Sequence, residues 1–81
     1  MNAPAKLSEL PAGASAIIEE LANGISALTR LRELGLVPGT KVKIVRRAPL
    51  GEPIEIALRG SRIAMRNKDA EAIAISPLIW K

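Results

Sequence analysis

Eighty-one residues carry 12 Lys and Arg against 8 Asp and Glu, a net charge of +4, with one aromatic residue and neither cysteine nor histidine. This length suits one domain near the lower limit for a self-sufficient core. The missing residue types exclude disulfides, zinc knuckles, thiol chemistry and nucleophilic catalysis with a histidine base.

In chain order, residues 1–6 read as a frayed leader. Leu7 and Leu10 then suggest a single turn, stopped by Pro11 and Gly13. A first strand is expected over Ala14–Glu20, with Ala14, Ala16 and Ile18 on one face. Asn23-Gly24 signals a turn. A helix follows from Ser26, a good N-cap, to Leu34, with Leu28, Leu31 and Leu34 as its apolar stripe and Arg30, Arg32 and Glu33 on its wet side. Gly35 stands where a helix needs a left-handed residue to finish, which places Leu31 and Leu36 at the two touching positions of a Schellman ending. Pro38-Gly39 suits the centre of a type II turn.

Past that turn the period changes to two: Val42 and Ile44 face one way and Lys41 and Lys43 the other, in a strand from Lys41 to about Arg47. A loop follows in Ala48-Pro49-Leu50-Gly51-Glu52-Pro53. Ile54–Leu58 alternates cleanly, Arg59-Gly60-Ser61 reads as a tight hairpin, and Arg62–Arg66 alternates back. Asn67 suits the cap of a single turn over Lys68–Ala72, Ile73–Ile75 forms a last strand, and Pro77 ends it. Five short strands in so short a chain cannot make two useful sheets. Curling one sheet into a barrel removes exposed edges. The expected fold is mainly β, a small SH3-like barrel of about five strands with one short helix between the first two. An OB-like barrel is the alternative and usually needs longer strands.

The acids offer little chemistry. Glu19 and Glu20 are strand neighbours and should point to opposite faces, while Glu52 and Glu55 straddle Pro53 beside an exposed loop. No phosphate-loop or dinucleotide fingerprint is present. Without His or Cys, and with dispersed carboxylates, neither a transition-metal site nor a cofactor is expected. The excess of cations invites a nucleic-acid reading. They are spread along the chain, however, and Trp80 alone gives no platform for stacking bases, so they read as the wet face of strands. The lack of Phe and Tyr also removes the groove with which signalling SH3 domains grip polyproline. No run approaches the length of a membrane-spanning helix and no signal peptide is evident, so a cytoplasmic protein is expected.

Leu7-x-x-Leu10-Pro11-x-Gly13, Arg30-Leu31-x-x-Leu34-Gly35-Leu36-x-Pro38-Gly39, Pro49-Leu50-Gly51-Glu52-Pro53-Ile54 and Gly60-x-x-Ile63-Ala64-Met65-Arg66 occur in ordered succession. In that order they resemble the FeoA family of ferrous iron transport proteins over about residues 7–76. Met65 departs from an expected leucine, a change that conserves volume. The resemblance implies a non-catalytic cytosolic accessory protein of bacterial ferrous iron uptake. Its implied partner is FeoB, a membrane transporter with a cytosolic GTP-binding domain, so any contact with the membrane would run through that partner. Weak self-association is left open. The module also resembles the C-terminal domain of iron- and manganese-dependent repressors of the diphtheria toxin repressor type. With only six residues before Leu7, the stand-alone reading is preferred. A detached repressor domain, or a basic adaptor for anionic lipid or nucleic acid, is the alternative.

Gly13, Leu31, Leu34, Gly35, Leu36, Pro38, Gly39 and Gly60 form the structural signature. The partner-binding candidates are Leu50, on a loop stiffened by Pro49 and Pro53, its flanking Arg46, Arg47 and Glu52, and the apolar tail Leu78, Ile79 and Trp80 within residues 77–81. Either Leu50 folds back over the barrel mouth or it stands out as a knob with a charged rim.

Overall fold

The computed structural model describes residues 3–50 and 52–78. Strands β1 (Ser15–Leu21), β2 (Lys41–Arg47), β3 (Ile54–Leu58), β4 (Ser61–Met65) and β5 (Ile73–Pro77) form one sheet in the order β4-β3-β2-β1-β5. Every neighbouring pair is antiparallel. Helix α1 (Ser26–Glu33) lies between β1 and β2, a four-residue helix α2 (Asn67–Ala70) joins β4 to β5, and a 3₁₀ turn covers Leu7–Glu9. The strand count and the helix position match the sequence expectation.

Period-two patterning delivers Val42 and Ile44 from β2, Ile54, Ile56 and Leu58 from β3, and Ile73 and Ile75 from β5 to one aliphatic core. The 3₁₀ turn adds Leu7 and Leu10, and the helical segment adds Leu28, Leu31 and Leu36. Two register shifts, between Ile18 and Glu20 in β1 and between Ile44 and Arg46 in β2, bend the sheet. The first corrects the expected alternation. Glu19 and Glu20 are both exposed and Leu21 returns to the core, because the bulge inserts one unpaired residue.

Helix α1 begins one residue earlier than Ser26 suggested. Ile25 is the N-cap, accepting hydrogen bonds from the Leu28 and Thr29 amides at 3.0 and 3.2 Å, and Ser26 makes no side-chain cap. Ile25 packs against the core, so burial fixes the entry angle that a hydroxyl was expected to fix. The other end behaves as read. Gly35 has φ +106°, its N–H reaches the Arg32 carbonyl and the Leu36 N–H reaches the Leu31 carbonyl, both at 3.0 Å, which completes a Schellman ending. Leu34 is the exception: it is 55% exposed. The left-handed step at Gly35 redirects the chain, so that Leu36, not Leu34, continues the buried stripe. At the next turn, Gly39 at φ +92° and a 3.1 Å bond from the Thr40 amide to the Val37 carbonyl fit type II geometry.

Two further expectations change. Residues 5 and 6 are not a frayed leader: the Ala5 carbonyl accepts the Ile75 amide at 3.0 Å and Lys6 bridges Ala74, extending the sheet beyond β5. Asn67 is the first residue of α2 rather than its cap. Its amide instead donates to the Glu52 carboxylate at 2.7 Å.

Candidate partner interface

The β2–β3 loop leaves the sheet after Arg47 and is pinned at its return, where the Ala48 amide donates to the Pro53 carbonyl at 3.2 Å. Leu50 is 97% exposed. It does not cover the barrel mouth, whereas Leu7 and Leu10, in the turn that Arg47 holds, are fully buried. An aliphatic side chain held clear of its own core, on a loop tied at its base, is a geometry suited to burial against another surface.

The charged residues around Leu50 are engaged inside the protein. The Arg47 guanidinium donates through Nη2 to the Ser8 carbonyl at 2.7 Å, and through Nε and Nη2 to the Leu10 carbonyl at 3.1 and 2.6 Å. It therefore holds the open end of the 3₁₀ turn on the barrel, satisfying carbonyls that the turn cannot satisfy itself. Glu52 takes the first amide of α2. Arg46 pairs with its cross-strand partner Glu55 at 3.4 Å. Ser8, Arg47, Leu50, Glu52 and Asn67 line one open depression, and the Asn67 Oδ1 within it is buried without a hydrogen-bond partner. Pattern reading treats an arginine after a strand as a rim charge. Only the fold shows it meeting carbonyls 37 and 39 residues away.

Leu78 is half-buried and its amide donates to the Ser15 carbonyl at 2.9 Å, prolonging β5 along β1. Register therefore places it beside Ser15, which pairs with Lys43 of β2. Ile79 and Trp80 fall outside the described residues. At the other signature positions, Gly13 (φ +90°) donates to the Ile44 carbonyl at 2.8 Å, and Gly60 (φ +80°) completes the β3–β4 hairpin.

Among the described residues, no group of three or more acids converges as metal ligands would. The Glu9 carboxylate has a different task. It accepts the Ala5 and Lys6 amides at 2.8 and 3.0 Å, and these bonds hold its pKa below the ordinary value. Glu19 accepts a hydrogen bond from the Ser76 hydroxyl across the β1–β5 pair. Glu9, Glu19, Glu52 and Glu55 thus each hold local structure together.

The strand order and the helix inserted between β1 and β2 define a small SH3-like barrel domain. The sequence model of the FeoA domain matches residues 5–77, and the chain belongs to the FeoA family. It is similar to the solution structure of the FeoA protein from Chlorobium tepidum, with 45% identity, 90% of this chain and 70% of that chain covered, and a TM-score of 0.84. FeoA of Stenotrophomonas maltophilia, crystallised with zinc and described as a prokaryotic SH3 domain protein, is 34% identical over 90% of this chain and 91% of that one, with a TM-score of 0.75. A manganese-dependent transcriptional repressor shares the fold at 16% identity, with 96% of this chain and 44% of that chain covered and a TM-score of 0.80.

Proposed function

We propose that this protein is a non-catalytic cytoplasmic accessory factor of ferrous iron uptake, docking through Leu50 on a FeoB-type transporter. The observation that carries this reading is the 97% exposure of Leu50 on a loop braced from both sides. Arg47 braces the β2 side through the 3₁₀ turn, and Glu52 braces the β3 side through α2. A pre-ordered loop loses less conformational entropy on association, and an apolar anchor in such a loop is the usual centre of an interface. Family membership supports iron uptake as the process. The Stenotrophomonas relative carries the suggestion of a ferrous iron transport activating factor.

In this reading Leu50 is the anchor, and Arg47 and Glu52 shape its loop. The test is Leu50→Ser, measured for folding and for binding to the purified cytosolic part of the transporter with GTP and GDP analogues compared. Serine should leave the thermal midpoint unchanged and weaken binding by at least about tenfold, as expected for an anchor residue. Retained binding with reduced stability would assign Leu50 to the fold and end the reading.

A further inference from the structure

The outward face of the sheet carries a second feature, at the opposite end of β3 from Leu50. Paired register sets Ser15, Lys43, Ala57 and Arg62 in one row across β1, β2, β3 and β4. Lys41 is two residues from Lys43 on the same face, and Arg59 begins the β3–β4 hairpin beside them. The small side chain of Ala57 leaves a shallow groove, lined among others by Lys41, Lys43 and Arg59. All four cations are exposed. Unlike Arg32 and Arg47, which are engaged with backbone carbonyls, these four have no hydrogen-bond or ion-pair partner among the described residues. Of the acids on this face, Glu55 stands toward the Leu50 end and is held by Arg46 at 3.4 Å, and Glu19 of β1 accepts the Ser76 hydroxyl.

Arg59 adds an independent sign. Its φ is +47°, and among the described residues it alone is a non-glycine with positive φ. Asn or Gly would occupy that hairpin position more easily, so the tip carries a charge at the cost of backbone strain. Gly35 lies against the same arginine, since a Cβ built on it would be 3.9 Å from the Arg59 Cδ. Its neighbour Leu34 is 55% exposed, which puts an apolar side chain at the edge of the cationic field.

We propose that this face rests on an anionic bilayer, with Lys41, Lys43, Arg59 and Arg62 on lipid phosphates and Leu34 entering the headgroup boundary. Unanchored cations on long stems suit mobile headgroups, and an exposed leucine beside them suits the interface between headgroup and acyl chain. Nucleic acid would leave the leucine without a role, and the groove offers no aromatic ring for bases. The proposal stands apart from the one for Leu50: hairpin and loop lie at opposite ends of β3, so both surfaces can be occupied together.

The test is sedimentation of the full chain with vesicles of phosphatidylcholine alone and of equal parts phosphatidylcholine and phosphatidylglycerol. Association is expected only with the anionic vesicles, and added salt should weaken it. Each interfacial cation contributes about fivefold, so Lys43→Gln/Arg62→Gln should lower partitioning about 30-fold with the thermal midpoint retained. Should that variant be unstable, Lys41→Gln/Arg59→Asn, which also relieves the turn, should give the same loss. Leu50→Ser should leave vesicle association unchanged. Equal binding to both vesicle types, binding to neither, or full binding by folded variants overturns the proposal. Capture of polyglutamate or duplex DNA by the same cations, with vesicles ignored, overturns it as well and gives the face to that ligand.

Discussion

A Cβ on Gly35 would meet Arg59 Cδ at 3.9 Å and Leu58 Cδ1 at 4.0 Å, both ordinary contacts. The cost of replacing this glycine therefore comes from its φ of +106° and not from crowding. Gly35→Val should destabilise the fold by about 1–3 kcal/mol, read as a lower urea midpoint at unchanged slope. Stability equal to wild type would show that the helix can end another way. Glu9 supports a pH prediction of defined sign. Its folded pKa lies below the ordinary 4.5 because the Ala5 and Lys6 amides bind the charged form. The contribution is thus complete above pH 4.5 and is lost as pH falls through the lowered folded value. Below pH 4.5 the thermal midpoint should fall faster in wild type than in Glu9→Gln, and parallel curves would remove Glu9 from the acid response.

At the scale of elements, the 3₁₀ turn depends on one long side chain. Arg47 spans from the end of β2 to the carbonyls of Ser8 and Leu10, while Leu7 and Leu10 fill the core beneath. Hydrogen bonds to a charged donor contribute about 1.5–3 kcal/mol. Arg47→Met keeps the aliphatic stem and should cost about 2–3 kcal/mol. Hydrogen exchange should quicken first at the Leu10 amide, which bonds Leu7 within the turn. Arg47→Lys should recover only part of the loss, because an ammonium cannot reproduce the planar fork reaching two carbonyls. Uniform exchange throughout the sheet, with no early change at the turn, would contradict a local tether.

For the whole molecule, antiparallel connectivity separates two surfaces. The β2–β3 loop with Leu50 lies at one end of β3 and the Arg59-Gly60 hairpin at the other, within a body of 32 × 27 × 24 Å. Each surface is predicted to be removable without the other. Leu50→Ser should change stability by less than about 0.5 kcal/mol, since the side chain leaves no core contact behind. The cation variants should leave transporter binding intact. A single substitution that abolished both associations while the fold persisted would mean that the two surfaces act as one.

Local patterns were enough to place the strands, the helix, the glycine ending at Gly35 and the turn at Pro38-Gly39, because each follows from periodicity or backbone sterics within a few residues. Leu50 was legible as a candidate for the same reason: a leucine between two prolines has few ways to reach a core. Its exposure was not, since whether a loop leucine turns inward depends on how distant segments, such as the turn carrying Leu7 and Leu10, fill the core. The same limit hid the bulge that turns Glu19 and Glu20 outward together, the attachment of Ala5 and Lys6 beside β5, and the exposure of Leu34. It also hid the partners of Arg47 and Glu52, and the row that Lys43 and Arg62 form across Ala57. These are contacts between segments far apart in the chain. Charge and hydrophobicity at one position do not specify them, and register, bulges and competition for a small core do.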